Sequence, residues 1–129
     1  MANELILVVE DNENNRKLAR DVLVHQGYRV VEAESAEVGL AFVAREPPQL
    51  ILMDIHLPGI DGIEALRRLR ADEATRGIPV LAVTASAMTH DRQKILAAGF
   101  DGYQSKPISV RPFLAAVRET LDRAAGGRA

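Results

Sequence analysis

The sequence predicts an α/β protein built on a doubly wound, five-stranded parallel sheet flanked by five helices. Two observations carry that expectation. Five short apolar runs alternate with five longer segments of helical period, the pattern of helices covering both faces of a parallel sheet. Three of the runs also end abruptly in charge: Leu5 to Val9 meets Glu10-Asp11, Leu50 to Met53 meets Asp54, and the segment after Asp101 reaches Lys106-Pro107. An ionised side chain inside the sheet would be heavily penalised, so each charge marks where a buried strand emerges. Parallel neighbours emerge on the same side. Glu10, Asp11, Asp54 and Lys106 therefore converge at the carboxyl ends of the strands, where open α/β folds bind ligands. Three carboxylates facing one ammonium point to a divalent cation and a phosphoryl group.

In chain order, the strands are read over Leu5 to Val9, Arg29 to Ala33, Leu50 to Met53, Pro79 to Val83 and Gly102 to Ser105. Leu50-Ile51-Leu52-Met53 and Val80-Leu81-Ala82-Val83 are apolar without alternation, as expected of strands covered on both faces. The first helix carries Asn15, Leu18, Ala19, Val22 and Leu23 on one face, turns its charged residues to water and stops at Gly27. The second follows Ser35 as N-cap, buries Ala36, Gly39, Leu40 and Val43, and is closed by Pro47-Pro48. The third starts near Gly62 and buries Ile63, Leu66 and Leu69. The fourth, Ala87 to Ala98, is polar through Thr89-His90-Asp91-Arg92-Gln93-Lys94; it offers little core area and is where movement is expected. The fifth begins after Ser109, tolerates Pro112 in its first turn, and presents Val110, Phe113, Leu114, Val117 and Leu121 at helical spacing. Ala124 to Ala129 is small and Gly-rich and reads as a frayed tail. The expected organisation is one domain over 1–124 with a flexible tail over 125–129. The long connection from Met53 to Gly62, punctuated by Pro58-Gly59 and Asp61-Gly62, overhangs the strand ends.

A chain of 129 residues suits a single core, and 47% apolar with 26% charged residues is an ordinary globular balance. A net charge of −2 with scattered arginines offers no cationic field for direct nucleic-acid binding. The absence of cysteine excludes disulfides, thiolate metal sites and Cys nucleophiles, and fits the cytoplasm. Met1-Ala2-Asn3-Glu4-Leu5 has no basic leader, and no segment reaches membrane-spanning length, so no membrane insertion and a cytoplasmic location are expected.

Asp54 is the candidate nucleophile or metal ligand. A helix-capping role explains it poorly, because Ile55 to Ile60 separates it from the third helix. One acid at Glu10-Asp11 would suffice as a cap. Two in succession supply hard oxygen ligands for an octahedral ion such as Mg²⁺, which also relieves the repulsion of clustered carboxylates. Lys106-Pro107 is a weak dipeptide signal by itself, and its place after the fifth strand is what raises it. A compact ammonium reaches a phosphoryl oxygen as a point charge, and a cis X-Pro bond would aim it back toward the site. Thr84 follows the fourth strand, where its hydroxyl is either a structural strand or cap group or a donor to the phosphoryl group; the company of the other strand ends favours the donor. His56 and Ser86, two positions after Asp54 and Thr84, either border the path of attacking water or are solvated loop residues. His25 and His90 carry no motif and read as surface residues.

Together these residues resemble the receiver domain of bacterial two-component response regulators, over essentially the whole chain. The matching stretches are Val8-Val9-Glu10-Asp11-Asn12, Leu52-Met53-Asp54-Ile55 with Leu57-Pro58-Gly59-Ile60-Asp61-Gly62, Val83-Thr84-Ala85, and Ala98-Gly99-Phe100-Asp101-Gly102-Tyr103 ahead of Lys106-Pro107. Glu10 to Asn15, Thr84 to Met88 and Lys106 to Val110 look like the DivK-type single-domain receivers and the receivers of hybrid kinases. The resemblance implies a flavodoxin-like receiver fold with strand order 2-1-3-4-5. It implies Asp54 as phosphoacceptor, and Glu10, Asp11, Asp54 and the His56 backbone carbonyl around Mg²⁺ or Mn²⁺. Lys106 would pair the phosphoryl group, with Thr84 and Tyr103 as switch residues. Where the family pattern often has Asp, Glu10 is longer and acts through a water.

The activity so implied is acceptance of a phosphoryl group on Asp54 from a sensor histidine kinase or histidine phosphotransfer protein, or from a small phosphodonor. The domain would catalyse its own phosphorylation and dephosphorylation, with no independent metabolic activity, and act as monomer or weak dimer. Its signal would pass to a downstream protein target through helix four, strand five and helix five, or the domain would serve as a phosphoryl shuttle. A phosphohydrolase of the haloacid-dehalogenase type also uses a strand-end Asp, but wants an acid where His56 stands. A flavodoxin-like cofactor binder would want a Gly- or hydroxyl-rich loop in place of Glu10-Asp11. A phosphorylation-independent adaptor is distinguished by partner binding that survives Asp54→Asn.

Overall fold

The computed structural model describes residues 3–85 and 89–127. The chain alternates β1 (Leu5–Val9), α1 (Glu13–His25), β2 (Arg29–Ala33), α2 (Ala36–Arg45), β3 (Leu50–Asp54), α3 (Gly62–Ala71), β4 (Val80–Thr84), α4 (Thr89–Ala97), β5 (Gly102–Ser105) and α5 (Val110–Gly127). All four strand pairings are parallel, in the order β2-β1-β3-β4-β5. The order reverses between β1 and β3, which opens a crevice at their carboxyl ends.

Period-two alternation distributes each central strand between two cores. Ile6, Val8, Leu50, Leu52, Leu81 and Val83 face α1 and α5, where they meet Ala19, Leu23, Phe113, Val117 and Leu121. Leu7, Val9, Ile51, Met53, Val80 and Ala82 face the other side, against Ala36, Val43, Ala65, Leu66, Leu69 and Ile95. Burying each large aliphatic or aromatic side chain contributes roughly 1.5–3 kcal/mol. The edge strands β2 and β5 are only partly buried, because one side of each has no neighbouring strand.

Side-chain caps start three helices. Asn12 accepts from the Asn15 amide at 3.0 Å, Ser35 from Val38 at 3.1 Å, and Asp61 from Glu64 at 2.8 Å. Asn12, and neither Glu10 nor Asp11, is therefore the cap of α1. Gly27 follows α1 with φ of 106°, the left-handed stop that its glycine permits.

Several expectations shift. β4 begins at Val80, Pro79 having no N–H to give the ladder. β3 and β4 each run one residue further than expected, so Asp54 and Thr84 are themselves strand residues. Leu18 is 40% and Val110 49% exposed, not buried. Leu18 lies about 100° around the helix from Ala19, off the narrow stripe that faces the sheet, and Val110 is the first residue of α5, one turn before its anchor Phe113. Ile63 and Leu40 pack against the core while only partly buried. Not all charges of α1 face water: Arg16 reaches Glu32 at 3.2 Å with 15% of its side chain exposed. α5 continues through Ala124 to Gly127, so helix occupies residues read as tail. The expected start of α4 at Ala87 lies outside the described residues. Among the described residues, no helix is long and apolar enough to cross a membrane.

Arg118 ties α5 to the start of the sheet, donating to Glu4 Oε2 at 2.7 Å and to the Tyr28 hydroxyl at 3.3 Å. That hydrogen bond holds the Glu4 carboxyl below its ordinary 4.5. A lowered folded-state value means that its stabilisation is present above about pH 4.5 and lost as pH falls through the folded value. Glu4→Gln is therefore expected to flatten the acid limb of stability, measured by urea unfolding across this range; an unchanged acid limb would contradict the clamp.

Candidate functional site

The sheet delivers the charged residues by continuing its ladder one step past the strands. Glu10 N donates to Ala33 O at 3.0 Å, Ile55 N to Val83 O at 3.3 Å, and Lys106 N to Thr84 O at 2.8 Å. Asp54 lies opposite Val83 and Thr84 opposite Ser105 in the register. The expected convergence of Glu10, Asp11, Asp54 and Lys106 is thus formed by backbone hydrogen bonding. The Lys106–Pro107 bond is cis.

At the centre, Lys106 Nζ lies 2.6 Å from Glu10 Oε1 and 3.0 Å from Asp54 Oδ2. Each carboxylate has a second donor: the Asn12 amide reaches Glu10 Oε2 and the His56 amide reaches Asp54 Oδ1, both at 3.1 Å. Glu10 and Asp54 are buried, at 5% and 4% exposure, whereas Asp11 is exposed. Burial pushes the Glu10 carboxyl above its ordinary value against the pull of Lys106, and the nearby Asp54 adds to the push. Burial also disfavours the Lys106 charge, but its hydrogen bonds to Glu10 and Asp54 prevail and hold the ammonium above its ordinary value. Both directions follow from two acids sharing one base in a poorly solvated site.

Carboxylate oxygens of Glu10, Asp11 and Asp54 all come within 4.8 Å of one another. Three hard oxygen donors against one ammonium leave surplus negative charge. This donor set fits a divalent ion of the Mg²⁺ or Mn²⁺ kind.

The supporting groups are less legible in sequence. Arg16 Nη1 donates to the Glu10 carbonyl at 3.0 Å, so a residue read as solvated fixes the turn of the acid pair. Gly62 opens α3 directly against the strand end, where a Cβ would overlap the Asp54 carbonyl oxygen and lie 2.9 Å from Ile55 Cα. Its close approach allows the Gly62 amide to bond Ile55 O at 2.9 Å. The overhanging loop is pinned by buried Leu57, with the His56 side chain exposed beside it. Thr84 is buried at 1% exposure, and Tyr103 is half-buried two pairs upstream, opposite Ala82. The guanidinium of Arg92 lies 5.2 Å from the Tyr103 ring centroid. Ser86 lies outside the described residues.

Residues 6–118 match the model of the response regulator receiver domain. The chain belongs to this family of receiver domains. Within it, the chain is similar to the polar-differentiation response regulator DivK of Brucella ovis, 43% identical over 116 residues that cover 90% of this chain and 94% of DivK. Among solved structures, the sheet and helices overlay a CheY-like receiver domain protein from Methanospirillum hungatei at a TM-score of 0.87, with 31% identity over 97% of this chain and 98% of that one. The receiver domain of the sensor histidine kinase PA1611 from Pseudomonas aeruginosa overlays at 0.86, with 33% identity over 93% and 98% of the two chains. Its structure carries a magnesium ion in the active-site cleft.

Crowding of the acids generates a prediction. Asp54→Asn is expected to raise the melting temperature in metal-free buffer, because removing one anion leaves Lys106 to serve Glu10 alone. Roughly 1 kcal/mol of relief corresponds to about 3–5 °C. Mg²⁺ should stabilise the parent protein more than the variant. Calorimetry with and without Mg²⁺ checks both; a variant that melts lower without metal would show that the Lys106–Asp54 pair outweighs the repulsion.

Proposed function

We propose that Asp54 is the phosphoacceptor of a signalling receiver, charged by a phosphohistidine on a sensor histidine kinase or histidine phosphotransfer protein, or by a small phosphodonor. The observation that carries this reading is the contact of Lys106 Nζ with Asp54 Oδ2 at 3.0 Å, at the mouth of a cleft whose other acids suit a divalent ion. An Asp54 carboxylate oxygen forms the new P–O bond while the donor's P–N bond breaks in line. The electron pair leaves with the imidazole nitrogen, which takes up a proton.

Each residue has a distinct part in that transfer. The His56 amide on Oδ1 and Lys106 on Oδ2 fix the plane of the Asp54 carboxylate, so one attack direction is preformed. Lys106 then pairs negative charge on the phosphoryl oxygens, with the Thr84 hydroxyl as second donor. Glu10, Asp11, Asp54 and the His56 carbonyl would hold Mg²⁺ or Mn²⁺, which would neutralise phosphoryl charge. The same arrangement assists attack of water on the acyl phosphate. Thr84 moving toward the phosphoryl group and Tyr103 turning inward alter the surface of α4, β5 and α5. The output is binding of a protein target from the cytoplasm, a reading supported by similarity to DivK along most of both chains.

The decisive measurement is incubation with Mg²⁺ and acetyl phosphate, followed by mass-spectrometric location of the added group. A phosphoryl increment on Asp54, absent in Asp54→Asn, is expected; an increment elsewhere, or none, would overturn the assignment. His56 is exposed beside the nucleophile, on the approach of water. His56→Asn is expected to change the lifetime of the acyl phosphate severalfold, followed by loss of label after donor removal. An unchanged lifetime would leave the His56 side chain as a solvated loop group.

A further inference from the structure

Among the described residues, Arg92 makes a contact with Tyr103 that the phosphoryl chemistry does not require. Helix α4 is polar, and Ile95 is its buried residue among those described. Arg92 lies one turn before Ile95 and so shares its sheet-facing side. Its guanidinium carbon sits 5.2 Å from the centroid of the Tyr103 ring. Within this distance a cation is attracted by the ring's negative face, and a planar guanidinium also stacks there in a way that an ammonium does not. Among the described residues, α4 is held to the edge of the sheet by an aliphatic contact at Ile95 and a cationic one at Arg92.

These attachments differ in what they sense. Ile95 packs in the core beneath α4 together with Phe100 and Val80. Arg92 instead touches the half-buried ring of Tyr103 on the edge strand β5, which packs at the margin of the same core. Were Tyr103 to turn inward, the ring would leave the guanidinium, and a contact made in one state and not the other biases the equilibrium between them.

We infer that Arg92 is a positioning residue that holds Tyr103 in its resting orientation and links that orientation to α4, through the guanidinium stacked on the ring. The inference rests on the phosphoacceptor reading of Asp54 and adds to it the restraint that phosphorylation must release. The released orientation of Tyr103 is in this reading also the one that accepts the phosphoryl group, so a weaker restraint populates it more and speeds phosphorylation in proportion.

The test uses the full chain with labelled arginine side chains in NMR. At rest, the Arg92 side-chain signals should lie upfield of the other arginines, shifted by the ring current, and return to ordinary positions in Tyr103→Leu. Mg²⁺ with beryllofluoride, a phosphoryl mimic, should abolish the upfield shift. Arg92→Met should speed phosphorylation by acetyl phosphate about two- to fivefold, the factor expected of an exposed cation–π contact, with Arg92→Lys in between. An ordinary Arg92 shift at rest, a shift that persists with the mimic bound, or an unchanged rate in Arg92→Met would each overturn the inference while Asp54 still accepts the group. No phosphoryl increment on Asp54 would sink the receiver reading and this inference with it.

Discussion

The ammonium of Lys106, 2.6 Å from Glu10 and 3.0 Å from Asp54, joins two carboxylates that are almost wholly withdrawn from water. Each acid alone at that depth would pay a large desolvation cost, and together they would also repel. One base shared between them makes the arrangement tolerable without cancelling its charge. The remaining negative charge is what suits the cleft to a cation.

The sharing dictates much of the surrounding fold. Lys106 must arrive from β5, Asp54 from β3 and Glu10 from β1, which requires parallel strands whose carboxyl ends are level. The ladder bonds from Glu10, Ile55 and Lys106 to the neighbouring strands set that level. Helix α3 must then begin against the Asp54 carbonyl, a position open only to Gly62. On the other side, Arg16 secures the Glu10 carbonyl, and Asn12 both caps α1 and donates its amide to Glu10. Thr84 and Tyr103 lie on β4 and β5, the two strands nearest Lys106, and Arg92 of α4 lies over the Tyr103 ring.

The fold and the acid site were largely legible in the sequence because both leave marks along single segments. A strand buried on both faces must be apolar throughout, and a charge at its end must be near water or a partner. What escaped the sequence was set by distance in space. Arg16 looked like a solvated helix charge because nothing local announces Glu32 or the Glu10 carbonyl. Leu18 and Val110 looked like core because hydrophobicity does not say how wide the sheet-facing stripe is or where the sheet ends.

The sequence by itself determined the element order, the Ser35 cap of the second helix and the roster of charged strand ends. These follow from local physics: periodicity, side-chain capping and the penalty on buried charge. Only the tertiary structure decided that Lys106 is divided between Glu10 and Asp54, that Asp54 and Thr84 belong to the strands, and that Arg92 covers Tyr103. Each of these depends on how residues far apart in the chain are brought to within a few ångströms by sheet register and helix docking. A pairwise interaction of that range has no signature in either partner's neighbourhood.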